Sequence, residues 1–467
     1  MKFYDKKALA KGFFLCLFLL LVCKFSHSAA FAVLVPMTLF LFMMKKNVAI
    51  MSVAFFSTLS LVLSEFFIEK TMIFAISQKI LLLMLSVLLL PSFCAIRHSR
   101  VQSSLLFLFW YLLYMLIVSQ FGWSPVISNL KMLLFVMVFI CYYGISLKLI
   151  NDKTITESNI RTPILVFVLL LVVGSVLVSP FPQISQLRYE RLLLRADAGV
   201  SLFTGITNHS QALGPIMAIL SVFLFADLVF SIQKSDKLYI VLLILCPYLI
   251  YKTSSRTAMG SYLIGMMFVS FIALHCKRFI QSRWRRSVVN SIFLIGFLGV
   301  ISIFLVPSIR EKATLFIAKA NEDVSELTTE SIMRSREAVL NNALYNWRMK
   351  PITGNGFQVS QLYENVKINS IKDMISAPVE KSTWTYAVLE EGGVIGFVIF
   401  LIFILINIGL MLKRNAYIGA SLFFTFIIIN LGEFTIFSMS GVGGLYWLLV
   451  FLGLVIDEKR NIRNYYY

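Results

Sequence analysis

The chain has 467 residues, of which 59% are hydrophobic and 14% charged, and its mean hydropathy is +0.84. A soluble domain is about 45–50% apolar and about 25% charged, so this composition excludes an ordinary soluble protein and indicates a polytopic α-helical membrane protein. The net charge of +19 suits a nucleic-acid-binding protein, but the basic residues follow the alternation of membrane loops, which argues against that class.

Apolar runs long enough to cross a bilayer recur along the chain. The hydrocarbon core needs roughly 20 helical residues, and the sequence predicts about 14 spans. The first has the basic start, apolar middle and small residues near Ser28 of a signal peptide, but the next span follows almost at once, which favours an anchor. The predicted spans are 9–23, 29–44, 48–68, 72–96, 101–121, 127–147, 162–181, 211–232, 238–253, 257–276, 287–307, 393–412, 416–433 and 437–456.

Basic residues alternate between the two sides of the predicted bundle. With the N-terminus in the cytoplasm, the loops on that side hold 23 basic residues, Arg161 and Arg460 among them. The short loops on the other side hold four, namely Lys24, Lys70, Lys252 and Arg256. This is the positive-inside rule over the whole chain, and it predicts that both termini are cytoplasmic.

The same topology divides the chain into membrane-embedded and external parts. The prediction is an all-α polytopic protein with one large extracytoplasmic loop domain between the eleventh and twelfth spans. Its parts are N-terminal transmembrane helices (1–181), a smaller extracytoplasmic loop (182–210), transmembrane helices (211–307), the large loop domain (308–392), C-terminal transmembrane helices (393–456) and a cytoplasmic tail (457–467).

The cysteines and histidines give no sign of a metal site or of an external disulfide. All six cysteines fall in or at the ends of apolar spans, and the sequence contains no CxxC or HExxH pattern. The four histidines are scattered. The sequence therefore predicts neither a metal nor another cofactor.

Arginines cluster in both external segments. The smaller loop holds Arg188, Arg191 and Arg195, and the larger one holds Arg334 and Arg336 at the start of a predicted amphipathic helix, which ends at a turn, Pro-Ile-Thr-Gly-Asn-Gly. Guanidinium groups bind phosphate in a bidentate manner. The alternatives are surface ion pairs, worth about 0–1 kcal/mol each, and a helix lying on the bilayer surface.

Four charged residues are expected within apolar spans or at their ends. Arg256 follows Thr-Ser-Ser at the outer end of a span, where an arginine either extends to the interface or binds a ligand. Lys79, Lys131 and Asp227 lie inside spans and are expected to form internal ion pairs or helix-packing contacts.

Four segments between residues 200 and 400 contain motifs that support one another. They are TGITNHSQALG (204–214), SSRTAMGSYLIG (254–265), RSREAVLNNALYNWRMKPITGNGF (334–357) and STWTYAVLEEGGVIGF (382–397). In order, in spacing and in the position of the large loop before the last three spans, the set resembles the O-antigen ligase and O-antigen polymerase superfamily. Two departures stand out: the family's loop histidine falls on Ser382, which favours the polymerase branch, and the arginine expected just before Gly205 is no nearer than Arg195.

The resemblance implies a metal-independent glycosyltransferase in the bacterial cytoplasmic (inner) membrane. Its substrate would be an oligosaccharide on undecaprenyl diphosphate within the membrane lipid, and its partners a chain-length regulator and a flippase. Arg256 and Arg336 are expected to balance the charge on the leaving diphosphate, and the proton acceptor is Glu380, Glu390, Glu391 or His209, unranked. The expected diphosphate ligands are Arg188, Arg191, Arg195, Arg256 and Arg334.

Two other functions remain open at this stage. The first is a ligase that transfers finished glycan to lipid A core or another acceptor. The second, from another class, is a transporter or flippase of the lipid-linked oligosaccharide. The absence of an internal repeat and of a matched pair of broken helices in the sequence argues against it.

The sequence also contains three closely spaced glycines before the last spans, Gly392, Gly393 and Gly396. We expect them to serve helix packing.

Overall fold

The computed structural model describes most of the predicted membrane helices and part of the large loop. The described residues are 5–25, 47–64, 72–89, 104–185, 203–231, 237–275, 286–294, 298, 307, 337–359, 381, 383–438 and 441–466. Within these ranges the regular structure is helical, and the one β-type contact is an isolated bridge between Leu63 and Thr207. The all-α prediction is therefore confirmed for the described part of the chain.

Most of the described helices overlap predicted spans, because apolar segments in lipid satisfy their backbone groups most readily as helices. A single helical turn lies at Pro182–Ser185. The span at 29–44 and most of the span at 287–307 fall outside the described residues. The main helices are α1 (Lys6–Phe25), α2 (Asn47–Val62), α3 (Met72–Leu89), α4 (Leu108–Gln120), α5 (Pro125–Asn151), α6 (Glu157–Val178), α7 (Ser210–Phe230), α8 (Lys237–Lys252), α9 (Arg256–His275), α10 (Glu337–Met349), α11 (Trp384–Lys413), α12 (Tyr417–Ile429) and α13 (Val442–Tyr466).

Five of the described helices are long and apolar enough to cross a membrane, judged by length and composition. They are α5, α6, α7, α9 and α11. This supports a membrane protein with several crossing helices.

Helix α7 forms the centre of the bundle. It is apolar apart from a few polar residues such as Asp227, and every residue from Ala212 to Phe230 is buried, as expected for a helix without a polar face. It packs against α8, α9 and α12, while α12 packs against α13 and α13 packs against α5. The central helix thus fixes the relative positions of the elements that surround it.

The bundle has two ends, which we name by their contents. At the basic end, the Lys459 ammonium donates to the Asp152 carbonyl at 2.7 Å, and Arg460 donates to the Asn415 carbonyl at 3.0 Å. The kink end contains the starts of α7, α9 and α11 and a break in α11 at Gly393.

Arg161, predicted to lie in a loop, is instead buried in the bundle at the basic end. Helix α6 begins at Glu157, so Arg161 lies one turn inside it. Its Nε and one terminal nitrogen each lie 2.8 Å from an oxygen of Asp227, and that nitrogen also lies 2.8 Å from Glu157. The Tyr239 hydroxyl donates to Asp227 at 3.0 Å. The loop position of Arg161 was therefore wrong, whereas the expectation of an internal ion pair for Asp227 is confirmed.

The last residues of the chain belong to the same end. Helix α13 continues to Tyr466, so most of the predicted tail (457–467) is helical. Arg460 pairs with Asp457 at 2.6 Å and donates to the Phe230 carbonyl at 3.2 Å, and the Gly419 amide donates to Asp457 at 2.9 Å. These contacts join α13 to α7 and α12. We call the buried charged side chains of Glu157, Arg161, Asp227, Asp457 and Arg460 the basic-end network.

Candidate functional site

The first two motif segments meet at the kink end. A Cβ added at Gly214 would lie 2.7 Å from the Thr253 hydroxyl and 2.9 Å from the Ser255 Cβ. The start of α7 is therefore held against the loop that leads into α9, and only a residue without a side chain fits there. This contact places the segment of His209 beside the segment of Arg256.

Arg256 is the first residue of α9 and is partly buried. The next residue, Thr257, packs against the turn after α12, where a Cβ added at Gly432 would lie 2.2 Å from the Thr257 hydroxyl. In the same turn, the Asn430 carbonyl accepts the Trp384 amide at 2.9 Å. The start of α9 is thus connected, through this turn, to the start of α11.

His209 caps the N-terminus of α7. Its Nδ1 accepts a hydrogen bond from the Gln211 amide at 3.0 Å, so the Nδ1 atom is unprotonated in this arrangement. The preceding loop is held by hydrogen bonds from the Asn208 amide to the Val62 carbonyl and from the Ser64 amide to the Ile206 carbonyl. The local geometry explains this histidine as a helix cap.

The third and fourth motif segments interlock at a break in α11. Gly393 has φ 61° and ψ −164°, a conformation that is essentially restricted to glycine. The turn after α10 fills the break: the Val394 amide donates to the Pro351 carbonyl at 2.9 Å, and the Ile395 amide donates to the Ile352 carbonyl at 3.3 Å. These bonds replace two that an unbroken helix would make within itself.

The carbonyl groups freed by the break are satisfied in the same way. Glu390 O accepts the Asn355 amide at 3.0 Å, and Glu391 O accepts the Gly356 amide at 2.9 Å. The Tyr114 hydroxyl lies 2.9 Å from Gly392 O. Every freed group named here has a partner, as buried backbone groups require. We call this interlocked turn and helix break the latch.

Two glycines allow the backbones to approach closely in the latch. A Cβ at Gly354, where φ is +81°, would lie 2.2 Å from the Glu391 carbonyl oxygen, and a Cβ at Gly393 would lie 2.3 Å from the Ile352 carbonyl oxygen. Packing accounts for Gly396, which faces Tyr114, but not for Gly393. The attribution of Gly393 to helix packing was therefore wrong, because its main role is to break the helix.

A buried ionic cluster lies directly at the latch. The Lys381 ammonium lies 2.7 Å from Glu391 Oε1 and 3.2 Å from Glu390 Oε2, and the Asn346 side-chain amide donates to Glu390 Oε1 at 2.8 Å. Burial acts to lower the pKa of Lys381, but the two carboxylates outweigh it and raise the pKa above its ordinary value. Lys381 is therefore charged at neutral pH.

Lys381 also connects the two ends of the segment 360–380. Its ammonium donates to the Val359 carbonyl at 3.0 Å, so residues 359 and 381 meet beside Glu391. Lys131 of α5 approaches from the opposite side and donates to the Gln358 carbonyl at 3.2 Å. This contact bears out the expectation that Lys131 faces protein from within its span.

Aromatic rings pack close to the cluster. Tyr111 of α4 stacks on Phe437 with ring centres 5.4 Å apart, and Phe357 and Phe400 lie 5.3 and 5.5 Å from the same ring. Trp384 lies 5.6 Å from Phe400. An apolar environment of this kind strengthens the interactions between neighbouring charges.

An apolar groove of about 500 Å³ lies between α4 and α5. Its exposed residues face away from the bundle, and the loop that joins α4 and α5 contacts the latch through the bond from the Trp123 amide to the Asn355 carbonyl at 3.3 Å. The residues that line the groove are Phe109, Trp110, Leu112, Leu113, Leu116, Asn129, Met132, Leu133 and Val136.

The structure brings some predicted site residues to one end of the bundle, and the others lie outside the described residues. His209, Arg256 and Glu391 are all at the kink end, but the described hydrogen bonds and ion pairs of Glu391 involve neither of the other two. In the described ranges no group of three or more His, Cys, Asp or Glu side chains is arranged to hold a metal. The predicted residues outside the described ranges are Arg188, Arg191, Arg195, Arg334, Arg336 and Glu380.

Sequence reasoning missed three side chains of this site: Lys381, Asn346 and Asn355. Lys381 directly precedes Ser382, the first residue of the fourth motif, and both asparagines lie within the third. The one feature of the sequence that pointed to these residues is that they are polar and lie close to the glycines of the motifs.

A scan against protein-family models and a search of curated proteins both found no match to the chain. The resemblance to the O-antigen ligase and polymerase superfamily therefore depends on the four motif segments alone.

Proposed function

We propose that the protein is a polysaccharide polymerase of the bacterial cytoplasmic membrane. It transfers a growing glycan from undecaprenyl diphosphate onto the next lipid-linked repeat unit. In this proposal the basic end faces the cytoplasm, in keeping with the distribution of basic loops, and the kink end faces outward, where the substrate is presented.

The observation that supports the proposal is the position of the four motif segments. They lie far apart in the sequence, yet contacts join them at one end of the bundle: Gly214 meets Ser255, Gly432 meets Thr257, and the latch joins the last two segments. Residues that serve one site have to lie together, and these contacts meet that requirement.

The chemistry requires a group that stabilises the leaving diphosphate. The sugar–phosphate bond is already activated, so the protein needs to bind the diphosphate and balance the charge that develops as the anomeric bond breaks. In this proposal Arg256, the first residue of α9, performs this task. The apolar groove between α4 and α5 has the character needed for part of the prenyl chain.

The experiment is a transfer assay with the purified chain in proteoliposomes. The substrate is lipid-linked repeat unit extracted from a strain that lacks the protein. We expect polymer from the unaltered chain and a loss of about 100-fold or more in rate for Arg256→Ala, the effect of removing one preorganised charge-stabilising group. The matched control is Lys252→Ala, which removes a cation at the end of α8 that lies 5.8 Å from the Tyr248 ring. Normal chain lengths in the Arg256 variant would disprove its role.

A ligase is distinguished in cells by what accumulates without the protein. Loss of a polymerase leaves single repeat units on the lipid or on the final acceptor. Loss of a ligase leaves complete polymer that is not attached to its acceptor.

One observation favours the second class, a transporter of the lipid-linked unit. The basic-end network contains five charged side chains that are buried at the ends of membrane helices, and buried ionisable groups in such helices often mark transport pathways. Proteoliposomes separate the two functions: a transporter moves the lipid-linked unit between leaflets without changing its size, whereas the polymerase lengthens a glycan supplied on the outer face alone.

A further inference from the structure

The two adjacent carboxylates of the latch differ in how they are satisfied. Both oxygens of Glu390 have partners, Asn346 and Lys381. In Glu391, Oε1 pairs with Lys381, whereas Oε2 is buried and meets no donor within hydrogen-bond geometry among the described residues; the Gln358 backbone amide acts electrostatically on the same carboxylate. Glu391 thus has one oxygen with capacity to accept a proton.

This open oxygen has an energetic cost. A buried polar atom without a partner is destabilising by about 1–3 kcal/mol, and groups of this kind concentrate at sites where a protein uses them. Tyr111, whose hydroxyl also has no partner in the described part of the chain, interacts electrostatically with Glu391. Tyr111 belongs to a group of packed rings that includes Phe437 and Phe357.

We propose that Glu391 is the proton acceptor of the transfer reaction and that Lys381 is its positioning residue; this rests on the proposed function. The acceptor hydroxyl oxygen forms a bond to the anomeric carbon, and the bond from that carbon to the phosphate oxygen breaks. The bonding electrons leave with undecaprenyl diphosphate. The hydroxyl proton passes to Glu391 Oε2, either directly or through one water, as general-base catalysis allows.

Lys381 suits the positioning role through its contacts. Its ammonium holds Oε1 of Glu391 at 2.7 Å, which leaves Oε2 as the accepting atom. Its charge acts against the cost of burying the Glu391 carboxylate, because a cation in direct contact stabilises the ionised form. Its bond to the Val359 carbonyl ties that geometry to the large loop.

The first test compares two neighbouring variants, Glu391→Gln and Glu390→Gln, in the proteoliposome assay. General-base catalysis contributes about 10²–10⁴-fold, so Glu391→Gln is expected to slow transfer by at least about 100-fold. Glu390→Gln keeps an oxygen for Asn346 and is expected to lose far less. Thermal unfolding of both variants in detergent checks folding. A folded Glu391→Gln protein with a rate like that of Glu390→Gln would overturn the inference.

The second test needs no change at Glu391. Lys381→Met removes the neighbouring cation, which makes a carboxylate easier to protonate, so the acidic limb of the pH–rate profile is expected to move to higher pH. Lys381→Arg is expected to restore the original limb. An acidic limb that stays in place in Lys381→Met would overturn the positioning role, even if Glu391→Gln does not fold.

The two proposals fail in different ways. If the unaltered chain makes no polymer, the proposed function is wrong and this inference falls with it. If the unaltered chain makes polymer and Glu391→Gln does so equally well, the polymerase stands and only the role of Glu391 is wrong.

Discussion

Gly393→Ala is the sharpest test of the latch, because a single methyl group meets backbone on the facing segment. The glycine has φ 61° and ψ −164°, and a residue with a side chain in this region costs about 1–3 kcal/mol. The added Cβ would lie 2.3 Å from the Ile352 carbonyl oxygen and 2.7 Å from the Thr353 nitrogen. Backbone atoms cannot rotate away as a flexible side chain can.

Relief of this clash requires the turn to move out of the break. That movement breaks the bonds from Val394 to Pro351 and from Ile395 to Ile352, each worth about 0.5–1.5 kcal/mol. Together with the strain, the expected destabilisation is about 2–6 kcal/mol. Because the same movement displaces Glu391, transfer activity is expected to fall as well.

Gly409→Ala is the matched control, since it makes the same change in the same helix. A Cβ at Gly409 meets nothing within 4 Å, and alanine is favoured over glycine inside a helix by about 1 kcal/mol. The assay is thermal unfolding in detergent, with the transfer rate measured on the same samples. Equal melting temperatures for the two variants would refute the interlocked geometry.

Two further predictions concern other contacts of the bundle. Arg161→Met leaves the buried Asp227 carboxylate without its guanidinium and is expected to destabilise the protein by about 3–5 kcal/mol. The double variant Arg161→Met with Asp227→Leu is expected to recover part of that loss, because Glu157 and the Tyr239 hydroxyl still lose a partner. A double variant no more stable than the single one in detergent melting would contradict the pairing. Gly432→Ala places a Cβ 2.2 Å from the Thr257 hydroxyl, so we expect this variant to melt at a lower temperature. Adding Thr257→Ala to the same chain is expected to restore the melting temperature. If the effects of the two substitutions are simply additive, the two residues are not in contact.

The helices of the described bundle were largely predictable, whereas the position of Arg161 was not. A charged residue at the edge of an apolar run is assigned to the loop by hydropathy, because the scale gives a charge the same transfer cost whatever its partner. Asp227 is 66 residues further along the chain, and only their contact makes burial of the guanidinium tolerable. The burial of Arg161 therefore depends on a residue in another helix.

The latch illustrates the same limit at the candidate site. The glycines at 392–396 and the turn at 351–356 were both visible in the sequence, and each was explained locally, as packing and as a turn. The two segments are joined by hydrogen bonds: the amides and carbonyls that the helix break leaves without helical partners pair with carbonyls and amides of the turn. A match of this kind depends on the arrangement of both segments in space.

The sequence by itself determined that the chain is helical and suited to a membrane, because transfer from water to lipid is a property of each segment taken alone. It also singled out the four motif segments. The tertiary structure alone decided that these segments meet at the kink end and that Lys381 joins Glu390 and Glu391. It alone decided that Glu391, and not Glu390, has an open oxygen among the described contacts. These facts depend on which groups from distant parts of the chain come within hydrogen-bond distance of one another. The hydrophobicity of one segment does not determine which residues of another segment it will contact.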